Sequence, residues 1–155
     1  MTALHSLRLF LLGRLRLERE GQPVVLPTRK LELLLAYLCL HPQRHNREKV
    51  AAAVWGDFTD DKARASLRNG LAVLRRQVHP DLILSDRETV QLNRAVPLWV
   101  DALLFAEWAR QFLLTALPDV ATLPFDLVQG DLLANFYEVR DDRPGADCPD
   151  SPRQN

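Results

Sequence analysis

ARASLRNGLAVLRR, residues 63–76, is the stretch on which the reading of this chain turns. At 100° per residue, Ala63, Leu67, Leu71, Leu74 and Val78 fall in one apolar stripe, and Arg64, Arg68 and Arg75 fall in a second stripe beside it. One face of this helix asks for a core. Its neighbour asks for anions: the carboxylates of the same chain, a partner protein, or a phosphate backbone. Gly70 lies beside the leucines, where it costs a helix about 1 kcal/mol relative to Ala, so close packing on another helix explains it better than ligand contact.

Working outward, residues 7–26 run in short apolar bursts punctuated by Gly13 and Gly21 and bounded by Pro23 and Pro27, the pattern of a small antiparallel sheet. Thr28 can cap a first helix through TRKLELLLAYLCLH, with Leu31, Leu34, Leu35 and Leu38 on one face and His41-Pro42 ending it. Asn46 can cap a second, NREKVAAAVW, with Val50, Ala53 and Val54 inward and Gly56 as its stop. Asp60 and Asp61 then sit at the positive end of the third helix dipole, and that helix runs to His79-Pro80. LILS and TVQLN, around Asp86-Arg87-Glu88, have the form of a hairpin.

Sheet, three helices and hairpin in this order predict an α+β fold: a winged helix-turn-helix over residues 4–97. A short helical extension is expected over 98–138. Its first part is an amphipathic helix, WVDALLFAEWARQFLLTAL (99–117), in which Leu103, Leu104, Ala106, Trp108, Phe112 and Leu113 need a surface to pack on. PFDLVQGDLLANFYE (124–138) offers another apolar segment, and the hydrophobe-poor residues 139–155 are expected to be disordered.

Composition narrows the function. With 155 residues, 47% hydrophobic and 26% charged, the chain is long enough to bury one core without staples. Two cysteines, Cys39 and Cys148, suggest neither a disulfide framework nor a metal cluster, and the N-terminus resembles neither a signal peptide nor a membrane span, so a cytoplasmic protein without membrane attachment is expected. The zero net charge hides a segregation. Residues 1–95 hold 16 Lys and Arg against 10 Asp and Glu, a net +6; residues 96–155 hold 4 against 10, a net −6. A basic N-terminal part favours a polyanion, although attraction between the two halves accounts for the same segregation. Histidines 5, 41, 45 and 79 lie in different segments, and no Gly-rich phosphate loop occurs. An enzyme, a cofactor and a metal site are therefore not expected.

A helix that lies in the major groove must keep its outer face narrow, and Ala65, Asn69, Ala72 and Arg76 lie opposite the leucines of the third helix. Base reading is assigned to Asn69 and Arg68, since an amide can pair bidentately with adenine and a guanidinium with guanine; Arg64, Arg75 and Arg76 are assigned to the backbone. Arg75 and Arg76 also suit the negative end of the helix dipole without any DNA. Arg87 at the hairpin tip, and Arg47 with Lys49 at the start of the second helix, are further phosphate candidates. Each of these is equally an ordinary surface charge taken singly, and only the set argues for an anion. Arg29 and Lys30 oppose the first helix dipole, a conflict that a bound anion would relieve.

These residues carry a resemblance. LRLFLLGRLRLEREGQPVVLPTRKLELLLAYLCLHP, then NREKVAAAVWGD, KARASLRNGLAVLRRQV and LILSDRETVQLN, resemble in order the N-terminal domain of SARP-type bacterial transcriptional activators, whose winged helix is of the OmpR type. WVDALLFAEWA and LVQGDLLANFYE resemble the opening of the bacterial transcriptional activation domain that follows in that family. The resemblance implies sequence-specific binding to promoter DNA, with dimers on direct repeats and recruitment of RNA polymerase. It places recognition on Arg64, Arg68 and Asn69, and Arg87 in the wing. Val73 stands where the family commonly has a polar or basic residue. After Tyr137-Glu138 the family continues into a tetratricopeptide-like array, so a truncated activation domain is expected here. The alternative is a protein-interaction module that uses the apolar surface of residues 99–138 without DNA.

Overall fold

The third helix turns its apolar stripe into the core. Ala63, Leu67, Leu71, Leu74 and the capping Val78 are all buried, as the stripe requires, and Gly70 is buried among them. A Cβ at Gly70 would lie 2.9 Å from Leu31 Cδ2 and 3.3 Å from Leu34 Cδ2, so the missing side chain lets the first and third helices meet. The computed structural model describes residues 6–114, 130, 132 and 133. Over these the fold is α+β, with two sheets and four helices.

The first sheet contains β1 (Leu7–Phe10), β2 (Arg16–Arg19), β3 (Gln22–Pro23) and β7 (Leu98–Val100), in the order β3-β2-β1-β7. The first three are antiparallel, and β7 runs parallel to β1 with Leu9 opposite Val100. Gly13 (φ 96°) and Gly21 (φ 78°) turn the chain through the left-handed region, which costs a residue without Cβ little. Leu7, Leu9 and Leu17 point into the core. The opposite face carries Phe10 and Trp99, their rings 5.1 Å apart, with the Arg8 guanidinium over both.

The helices then follow: α1 (Arg29–Leu40), α2 (Arg47–Trp55) and α3 (Asp60–Gln77). Thr28 Oγ1 accepts from the Leu31 N–H, and Asn46 Oδ1 accepts from Glu48 N and Lys49 N, so both expected caps form. On α2 the inward residues are Val50, Ala51, Val54 and Trp55; Ala53, expected inward, is exposed. Trp55 supplies more apolar area than an alanine, and it turns the helix toward Gly70, where its ring would lie 3.4 Å from an added Cβ.

The second sheet has the order β4-β6-β5, with β4 (His45–Asn46), β5 (Ile83–Ser85) and β6 (Thr89–Leu92), all antiparallel. The expected hairpin is β5–β6. Its turn is held by Asp86, whose carboxylate accepts from Glu88 N, Thr89 N and Thr89 Oγ1. The two-residue β4 joins the start of α2 to this hairpin.

One expectation changes at the end of the described chain. Trp99 and Val100, expected in a helix over 99–117, are strand residues of β7, and α4 begins only at Asp101 and is described to Leu114. An apolar Leu-Trp-Val run fits a sheet slot beside β1, where hydrogen bonding and burial are supplied together. Helix α4 then starts at Asp101, whose Oδ1 accepts from Ala102 N. Leu132 bridges to Leu12, and Leu133 N donates to Leu11 O, so this short piece also reaches the end of β1. The remaining residues of the apolar segment 124–138, and the tail 139–155, lie outside the described residues. No helix among the described residues is long and apolar enough to cross a membrane.

Candidate nucleic-acid interface

Three elements meet at a cleft of about 700 Å³: the start of α2, the first half of α3 and the β5–β6 turn. It is lined by four guanidinium groups, from Arg47, Arg64, Arg68 and Arg87. These residues are scattered over forty positions of sequence, and the fold gathers them because α2 packs on α3 while β4 ties α2 to the hairpin. Of the four residues expected on the outer face of α3, Asn69, Ala72 and Arg76 are exposed, and Ala65 is half-buried in the lining of the cleft.

The candidates differ in what already holds them. Among the described residues, no hydrogen bond or ion pair involves the side chains of Arg68, Asn69, Arg76, Arg87 or Lys49, and all five are exposed. Arg76 is exposed in the last turn of α3, and Lys49 borders a second cleft between α2 and α3. Arg47 is half-buried and donates through Nη1 to the carbonyl of Asp86 at 3.1 Å. Arg75 is likewise half-buried. It donates to Ile83 O at 3.1 Å and Ser85 Oγ at 2.7 Å, binding the end of α3 to β5. These two arginines serve the internal scaffold of the hairpin.

Arg64 is held by carboxylates. Its Nη1 donates to Glu48 Oε1 at 3.0 Å and its Nη2 to Asp61 Oδ1 at 2.9 Å. The two acids, Asp61 first and then Glu48, hold the guanidinium further in its charged form. Asp61 and Arg64 are one helical turn apart, a spacing legible in sequence. Glu48 comes from α2, and sequence reasoning missed it because nothing local connects it to Arg64. Glu88 adds a third carboxylate to the cleft, so four cations face three anions.

The other basic residues give a partial answer to the question of which anions. Lys30 pairs with the carboxylate of Asp57 and lies 4.5 Å from the Phe58 ring centre, so this chain supplies the anion expected near the start of α1. That hydrogen bond is the main reason the Asp57 carboxyl titrates below its ordinary value. Of the four histidines, His41 and His45 lie together: their rings are each within 5.3 Å of the Tyr37 ring, and His45 Nε2 bonds to His41 O. Among the described residues, no group of three or more His, Cys, Asp or Glu could hold a metal ion.

No protein-family model matches the sequence, and no curated protein matches it.

Proposed function

We propose that this chain is a sequence-specific, double-stranded-DNA-binding transcription regulator with a winged helix-turn-helix of the SARP type. In this reading α2 and α3 form the helix-turn-helix pair, α3 enters the major groove, and the β5–β6 hairpin is the wing. The observation that carries it is the cleft in which Arg47, Arg64, Arg68 and Arg87 converge from three elements beside the exposed, narrow face of Ala72 and Asn69. Arg68 and Asn69 read base edges, Arg87 meets phosphate from the wing, and Arg76 and Lys49 add charge at the rim.

Fluorescence anisotropy on duplexes selected from a random pool, and on scrambled controls, tests this across a salt series. With roughly six phosphates neutralised, the log–log salt slope should be about −5. The triple variant R64A/R68A/N69A should lose the preference, and with two cations removed its slope should flatten by no more than about two. A folded wild-type chain that ignores DNA at low salt would overturn the reading.

A second reading is favoured by α4, where Leu113 and Leu114 are 82% and 75% exposed and Leu103 and Leu104 are also exposed. Apolar side chains in that number suit a protein contact. Within the regulator reading, that contact is with RNA polymerase or with a second copy on a direct repeat. As the whole function, it makes the chain an interaction module whose complex survives high salt and the triple alanine variant.

A further inference from the structure

This inference rests on the DNA-binding reading and concerns how the same cleft discriminates between sequences. A surface built only to hold DNA would leave its cations unopposed, since every carboxylate nearby repels phosphate. Here Arg64, in the second turn of α3, is forked between Glu48 and Asp61, whose side chains are 69% and 94% exposed. Exposure to that extent means neither acid is needed to fill the core. The two carboxylates therefore shape what the solvent-facing side of Arg64 can accept.

A phosphate approaching Arg64 must also approach two negative charges. A guanine edge is neutral and offers two acceptors, O6 and N7, to the remaining donors of the same guanidinium. We propose that Glu48 and Asp61 are specificity-setting positioning residues: they aim Arg64 at a base edge and keep the DNA backbone off it. They weaken binding to every sequence, and they weaken non-specific binding most. Discrimination by repulsion of the wrong ligand is a general way to gain selectivity at some cost in affinity.

The test compares wild type, E48Q and D61N by anisotropy on the selected and scrambled duplexes across a salt series, with thermal unfolding of each variant alongside. Removing one carboxylate adds about one phosphate's worth of counterion release. Scrambled DNA should therefore bind about fivefold tighter at moderate salt, with a log–log slope steeper by about one. The selected duplex should change by less than about twofold, so the ratio between the two falls. In an Arg64→Ala background, Glu48→Gln should leave the ratio unchanged, because its effect passes through Arg64. A ratio that holds in both single variants, or that falls equally without Arg64, overturns the proposal while leaving DNA binding intact. If wild type binds neither duplex, the DNA-binding reading fails and this inference fails with it.

Discussion

Asp101 reaches across ninety positions of sequence to accept a hydrogen bond from the backbone N–H of Leu11 at 2.7 Å. Its second oxygen accepts from Leu12 N at 3.0 Å, and Ala102 N donates to Oδ1. The carboxylate is 1% exposed and stands where β7 becomes α4. One side chain thus serves the end of β1 and the start of a helix at once. Burying a charge is tolerated when donors surround it, and backbone N–H groups and a helix dipole supply them here. Asp101→Ala should lower stability by about 3 kcal/mol, because it leaves buried N–H groups without an acceptor. Urea unfolding measures this, and a change below about 0.5 kcal/mol would mean that water replaces the carboxylate without loss.

Arg75 and Arg68 lie two turns apart on α3 but should fail differently. Arg75→Ala removes the bonds to Ile83 and Ser85 and should cost about 1 kcal/mol of stability, with amide exchange accelerating first in β5. Arg68→Ala should stay within about 0.5 kcal/mol of wild type in stability. If the regulator reading holds, Arg68→Ala weakens binding to the selected duplex by about 1–3 kcal/mol and relaxes its sequence preference. Equal stability losses in the two variants would contradict this division.

Gly70→Ala opposes two effects. Helix propensity favours alanine by about 1 kcal/mol, but the new methyl group would press on Leu31 and Leu34, both buried. Overpacking of this kind costs about 1–3 kcal/mol, so the variant should melt below wild type. A higher melting temperature would show that α1 can move aside at no cost.

Asp86 titrates below the ordinary carboxylate value, chiefly because the Thr89 hydroxyl bonds to it, with the N–H groups of Thr89 and Glu88 adding to the effect. A carboxyl lowered in the folded state stabilises that state above its unfolded pKa, near 3.9, and the contribution fades as pH falls through the lower folded value. The hairpin turn should therefore loosen only in acid. Thr89→Val should move the Asp86 titration upward, which the carboxyl carbon resonance would report; an unmoved midpoint would assign the lowering to the backbone donors.

Cys39 is buried in α1, and desolvation pushes its thiol up to about 12. Almost no thiolate forms at neutral pH, so alkylation of Cys39 should wait for unfolding. In a Cys148→Ser chain, the labelling rate at pH 8 should follow denaturant concentration. Rapid labelling of the folded chain would mean that α1 opens locally.

The three helices and the hairpin were legible because their signals are short-range. The leucine period of α3, the Thr28 and Asn46 caps and the Asp86 turn each occupy a few consecutive residues, where local hydrogen bonding and amphipathicity act. The arginine stripe was legible for the same reason, as a feature of one helix. Its division of labour was not. Whether Arg75 meets Ile83, Arg47 meets Asp86 or Arg64 meets Glu48 depends on which surfaces the closing core brings within 3–4 Å, and no local pattern encodes that. Trp99 and Val100 make the same point: their run is apolar enough for helix or strand, and only the open edge of β1, together with the N–H groups awaiting Asp101, made them a strand. The sequence by itself determined α1, α3 and the β5–β6 hairpin with the inward faces of the two helices, because these follow from the period of each segment. Tertiary structure decided which charges stay inside the scaffold and which face outward, because that choice is made by long-range packing.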